Sequence, residues 1–259
     1  MLSVAFLLFQ AAIPATAQPL PTLDDIQFTD CLDLARKDAP SAVTEASLWA
    51  QQGGGYLACA CRGFALASDF KFDLAVPVLT EAAKGAEEKK DPRAARFWAQ
   101  AGNAAIADDK PTDALTALDS ALIVAAANTE KADIEVDRAR ALVALNRSDE
   151  AVAALASARQ LGPENGTAWL LSATLARRLN KLSDALTYIQ TAASLLTRDP
   201  AVALEAGNIA IAAGDEANAR KQWEQTIAIA PASRQANSAQ AQLAALSPSS
   251  TPPAETQSR

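Results

Sequence analysis

The feature that most constrains this chain is an internal period of 34 residues. Between Gly166 and Pro231 two stretches share a layout, and Ala185 and Ala219 stand one period apart in similar turn-plus-helix settings (Ser183-Asp184-Ala185 and Ala217-Asn218-Ala219). A repeat of that length is one supersecondary unit. A single unit cannot bury its apolar face and must stack on a neighbour, so the period predicts an elongated helical array.

Numbering each unit so that Trp169 is position 4 extends the pattern. Position 20 is Ala75, Ala114, Ala151, Ala185 and Ala219 in five successive units. Position 24 is Leu79, Leu118, Leu155, Ile189 and Trp223, and position 8 is Gly63, Gly102, Ala139, Ala173 and Gly207. Small residues at positions 8 and 20 let two helices approach closely, and the larger group at position 24 fills the space beside them. The five units run over 56–89, 95–128, 132–165, 166–199 and 200–233.

This pattern resembles the tetratricopeptide repeat, whose signature is W-x2-L-G-x2-Y, then A-x3-F, then P. Trp98 and Trp169 stand at position 4, and Pro163 and Pro231 at position 32. Position 7 is never Leu and position 11 never Tyr. The resemblance covers residues 56–233 and implies an all-α, right-handed superhelical solenoid of stacked antiparallel helix pairs, without strands. Expected helices are 56–68, 72–86, 92–107, 111–127, 130–145, 148–160, 166–179, 182–196, 200–212 and 216–229. Asp91-Pro92 and Asp199-Pro200 suit an N-cap followed by proline at the first helical position. Ser148 and Ser183, each followed by Asp, also suit N-caps.

Met1–Ala17 has an apolar run from Val4 to Phe9 and ends in Ala15-Thr16-Ala17, the A-x-A form of a cleavage site. We expect a secretory signal over 1–17 cut after Ala17, and a periplasmic or secreted product. Residues 18–24 then form a proline-containing linker. Residues 25–55 form a divergent helix pair (26–37 and 41–51) broken at Pro40 and stopped by Gly53-Gly54-Gly55. Residues 234–246 supply a capping helix, and 247–259, rich in Pro, Ser and Thr, a disordered tail. No other apolar run reaches the length of a membrane span.

The chain has no histidine, which excludes Ser-His-Asp and Cys-His nucleophiles and every histidine metal site. No phosphate-binding glycine loop is present: Gly53-Gly54-Gly55 runs into Tyr-Leu-Ala-Cys. The formal net charge of −7 argues against nucleic-acid binding, which needs phosphate neutralisation. Neither a catalytic residue nor a cofactor is expected.

Cys31, Cys59 and Cys61 are the only cysteines. Two residues apart on a helix point in different directions, so Cys59 and Cys61 make no zinc half-site. Cys31 and Cys61 fall on the first and third expected helices, neighbours in a stacked array. Their surroundings, C-x-x-L-A-x-x-x-x-P and C-x-x-x-A-L, resemble the N-terminal part of exported bacterial repeat proteins. A Cys31–Cys61 disulfide with Cys59 free is one reading; three buried cysteines acting as small apolar groups is the other.

The resemblance implies an interaction module whose concave face is lined by the first helix of each unit, at positions 2, 5, 9 and 12. Those positions supply Arg96, Asn103, Arg140, Thr174, Arg177 and Asn208. Arginine forks onto carboxylates, and Asn can both donate to and accept from an extended backbone. The expected occupant is a peptide or protein partner of acidic character. Position 5 is Ala60, Ala99, Val136, Leu170 and Leu204, never Lys, which argues against the family's carboxylate-clamp subtype. The competing expectation pairs these arginines with nearby acids such as Asp133 and Asp137. A different functional class, a structural subunit assembling through convex or end surfaces, is the alternative.

Overall fold

The computed structural model describes residues 20–246. The expected signal sequence, its cleavage point and the expected tail at 247–259 lie outside that range. The described residues form thirteen helices and no strand. These are α1 (Leu23–Lys37), α2 (Ala39–Gln51), α3 (Gly55–Ser68), α4 (Phe72–Glu88), α5 (Ala94–Ala107), α6 (Pro111–Val124) and α7 (Asn128–Ala144). They continue as α8 (Ser148–Leu161), α9 (Gly166–Arg178), α10 (Leu182–Leu195), α11 (Pro200–Ala212), α12 (Glu216–Ile229) and α13 (Arg234–Leu246).

Successive helices pack in pairs, α3 with α4 through α11 with α12, and every pair stacks on the next. The first helices of the units also touch one another: α3 meets α5, α5 meets α7, α7 meets α9 and α9 meets α11. Closer spacing on that side wedges the array and makes the first-helix face concave, as in stacked-repeat proteins generally. The helix α13 lies against α11 and α12, burying Ala236 and Ala239 over the last seam.

The packing follows the periodic small residues. All five position-20 alanines are fully buried. A Cβ built on Gly207 would lie 2.5 Å from the Trp223 indole, so the ring occupies the space a side chain would take. Gly63 and Gly102 make the same room for Leu79 and Leu118, both buried. Burying each such side chain contributes roughly 1.5–3 kcal/mol. An apolar seam runs from Phe28 to Leu175, followed by smaller clusters around Ile189 and Trp223.

The turn inside each unit is built one way five times. Position 15 takes a left-handed φ: 59° at Phe70, 56° at Asp109, 58° at Asn146 and Asn180, and 83° at Gly214. The next amide then reaches back to the helix, as in Lys71 N to Leu66 O (2.9 Å) and Asp215 N to Ala210 O (2.9 Å). This is a Schellman cap. The same residue is also the N-cap of the following helix, so Lys71, Lys110, Arg147 and Lys181 occupy N-caps without a side-chain bond.

That sharing corrects two expectations about caps. Ser148 opens α8 and Ser183 lies within the first turn of α10, and neither is the N-cap. Asp91-Pro92 does not open α5 directly: Arg93 is the N-cap, and Asp91 instead accepts the Arg93 amide at 2.8 Å. Asp199 does cap α11, accepting Ala201 N at 2.7 Å, with Pro200 as the first helical residue. The first helix starts at Leu23 rather than near Ile26, because Thr22 and Asp25 form a capping box. At the end of α6, Ala125 turns extended (φ −65°, ψ 130°), so the helix stops at Val124 instead of 127.

The divergent first pair is fastened in three ways. Cys31 and Cys61 are bonded as a disulfide, with Cα atoms 6.1 Å apart, and Cys59 is a free thiol. Phe28 meets Phe64 and Phe97 with ring centroids 6.4 and 5.9 Å apart. Arg93 bridges Asp91 and Asp25, donating to Asp25 at 2.8 Å, while the Tyr56 hydroxyl donates to Asp91 at 2.6 Å.

Candidate functional site

The concave face is assembled from α5, α7, α9 and α11. The six residues expected to line one continuous groove fall into three groups, two of which meet at Asp137. Arg96 and Asn103 border a hollow shared with Glu130, Asp133 and Asp137. Arg96 lies 6.0 Å from the centroid of the Phe64 ring. Asn103 donates to Asp137 at 2.7 Å, and Arg140 pairs with the other oxygen of that carboxylate. With Asp137 matched by Arg140, Glu130 and Asp133 still outnumber Arg96, and the hollow is net acidic.

Asp137 is buried. Burial pushes its carboxyl above the usual range, and the bonds from Asn103 and Arg140 oppose that only in part. Its position-6 counterpart two units on is Glu205, which is 6 % exposed. Arg177 holds Glu205 in a two-pronged contact at 2.6 and 3.2 Å, and Asn208 donates to it at 3.5 Å. The Asn208 carbonyl accepts from the Trp223 indole at 3.2 Å. Arg177 and Asn208 are therefore engaged within the scaffold and are not free donors toward a ligand. Asp133 accepts from Asn165 at 2.7 Å rather than pairing with an arginine.

The remaining group is an open socket between α7 and α9. Ala139, Val143, Leu155, Leu171 and Leu175 make an apolar floor, and Arg140, Thr174 and Arg178 stand around it. Its volume is about 210 Å3. Thr174 turns its hydroxyl to Leu170 O at 3.1 Å. Arg140 is 44 % exposed despite its bond to Asp137. Arg178 is exposed and has no side-chain partner among the described residues. An apolar floor with two guanidinium groups at the rim suits a large apolar side chain beside a carboxylate.

Arg178 was missed from sequence because it stands at position 13, one residue beyond the lining position held by Arg177. Asp137 was expected as a partner for these arginines, and Arg140 takes it; Glu205 was missed, although an acid 68 residues beyond Asp137 at the same repeat position is a legible signal. A second unexpected cation, Arg159 on α8, stacks over Tyr188 at 4.3 Å and Trp169 at 5.2 Å and donates to Ser172. Burial lowers its pKa, with Tyr188 and Asp184 opposing that in part.

Among the described residues no cluster of His, Cys, Asp or Glu is arranged to hold a metal ion, and no helix is long and apolar enough to cross a membrane. Residues 136–203 match the tetratricopeptide repeat family model. No curated protein matches the sequence. Among solved structures the chain is similar to PilW, described as a widely conserved type IV pilus biogenesis factor. That match has a TM-score of 0.69 at 18 % identity, over 85 % of this chain and 99 % of that one. Pseudomonas aeruginosa pilF gives 0.64 at 15 % identity, over 85 % and 99 %. YrrB, described as having an unusual peptide-binding site, gives 0.51 at 18 % identity, over 77 % and 98 %. Residues 136–203 therefore match tetratricopeptide repeats, set in an array that has the fold of these solved repeat proteins.

Proposed function

We infer that the chain is a non-enzymatic interaction module of the bacterial cell envelope that holds a protein or peptide partner on its concave face. The observation that carries this reading is the preformed socket between α7 and α9, apolar in its floor and cationic at Arg140 and Arg178. A partner segment presenting a bulky apolar residue next to Asp or Glu matches it in both shape and charge. The expected acidic partner is thus confined to this segment; the neighbouring hollow around Arg96 and Asn103 is too acidic to attract one. Location in the envelope is supported by the A-x-A pattern before Gln18 and by the Cys31–Cys61 bond, since disulfides persist outside the reducing cytosol. The solved neighbours PilW and pilF, one of them described as a pilus biogenesis factor, agree with such a setting.

The test is capture with crosslinking from an envelope extract, run with the native chain and with Arg178→Glu. A partner retained by the native chain and lost by the variant supports the concave face. Equal recovery by both removes the socket from the reading. Assembly through outer surfaces, the alternative, is favoured by one observation: Phe70 and Ile123 are more than four-fifths exposed.

A further inference from the structure

The turn between α3 and α4 departs from its four counterparts. Its left-handed position is held by Asp, Asn, Asn and Gly elsewhere, residues that tolerate that conformation. Here it is Phe70, whose bulky side chain strains the backbone and has no local hydrogen bond to offer. The ring gains no burial in exchange. It is 81 % exposed, leans edge-on against Phe72 with centroids 6.1 Å apart, and has the half-exposed Leu74 nearby in sequence. Strain retained at a surface position points to a role outside the scaffold.

The surroundings of Phe70 indicate what receives it. Asp69 and Asp73 flank the ring, and the intervening Lys71 is neutralised by Asp69 at 2.7 Å. The tip is an apolar knob with a net negative rim. The socket between α7 and α9 is the opposite, an apolar hollow of about 210 Å3 whose rim carries Arg178, without a partner among the described residues, beside Arg140, which is 44 % exposed next to Asp137. Within one chain the two features belong to units separated by α5 and α6, so they meet only between molecules.

We propose that Phe70 of one copy seats in the Arg140–Arg178 socket of a second copy. The contact is head-to-tail, uses two different surfaces and leaves a free knob and a free socket on every pair, so it propagates into a chain of molecules. It rests on the reading of the concave face as the binding surface and names its occupant.

Sedimentation velocity over a concentration series tests this with Phe70→Asn and Thr174→Arg. Asn is already the left-handed residue at 146 and 180, so Phe70→Asn relaxes the turn while removing the knob; Thr174→Arg fills the socket. The native chain is expected to associate with rising concentration, and each variant alone to associate more weakly by on the order of tenfold or more. An equimolar mixture of the variants holds one intact knob and one intact socket and is expected to stop at a dimer. A native chain that stays monomeric throughout, or a Phe70→Asn variant that associates like it, overturns the proposal. The concave-face reading fails separately: it falls if Thr174→Arg still captures the envelope partner.

Discussion

Arg177 on α9 and Glu205 on α11 form a two-pronged ion pair across the seam between the fourth and fifth units. The carboxylate is almost fully buried, and the guanidinium is 25 % exposed. Removing the cation strands a buried charge, which costs more than the pair itself contributes. Arg177→Ala is expected to lower unfolding free energy by about 3 kcal/mol in urea titrations. The double replacement Arg177→Met with Glu205→Met is expected to recover most of that loss. A single variant as stable as the native chain contradicts the assignment.

Gly207 makes the opposite prediction from an ordinary helical glycine. Replacement by Ala within a helix usually stabilises by about 0.5–1 kcal/mol. Here the new methyl meets the Trp223 indole, and overpacking should destabilise by about 1–3 kcal/mol. Thermal unfolding checks the sign. Adding Trp223→Leu should reverse it, since Ala139 already stands at position 8 of a unit whose position 24 is Leu155, both buried.

These two sites show how differently the fold and the face were legible. Helix positions could be read from local spacing: Ala at position 20, a larger group at position 24, and glycine or proline near the ends. The polar face could not be read that way. Asn103 finds its partner at Asp137 and Arg177 finds Glu205, each in the next unit. A list of lining positions treats every unit alone and counts Arg177 as free. It also misses Arg178, because a long side chain one residue further round the helix reaches the same rim. The Asp91-Pro92 cap was misread because the amide of Arg93 competes for the carboxylate.

Acid pH should act oppositely on two carboxylates. At Asp91 burial favours the neutral form, but hydrogen bonds from Arg93 and Tyr56 outweigh it and hold the pKa at about 2. A lowered folded pKa stabilises above the ordinary carboxylate range and is lost as pH falls toward 2. The stability gap between the native chain and Asp91→Asn should therefore shrink on acidification. At Asp137 the folded pKa is raised by burial, so folding favours the protonated form. Its contribution weakens as pH rises through the carboxylate range, and Asp137→Asn should compare best with the native chain at neutral pH. Denaturant titrations at several pH values read both trends.

The Cys31–Cys61 bond closes a segment of 30 residues. Loop-closure entropy gives it roughly 3–4 kcal/mol of stabilisation. Cys31→Ser with Cys61→Ser is expected to lower the melting temperature, and reductant should then have no further effect. Peptide mapping of the native chain without reduction should find Cys59 alone alkylated; three reactive thiols would contradict the pairing.

The shared turn residue has a consequence for how such a chain can lengthen. Lys71, Lys110, Arg147 and Lys181 each end one helix and begin the next, so no residue there can be spared or added without losing both ends. The joints between units lack that economy: Lys89–Arg93 separate α4 from α5, and Ala125–Ala127 separate α6 from α7. Extra sequence, a grafted tag or a protease site should be better tolerated at Ala125–Ala127 than inside a unit, whereas the Lys89–Arg93 joint carries the Asp91 and Arg93 contacts that hold the first pair. Whole helix pairs, rather than single helices, are thus the pieces by which this array can grow or be cut.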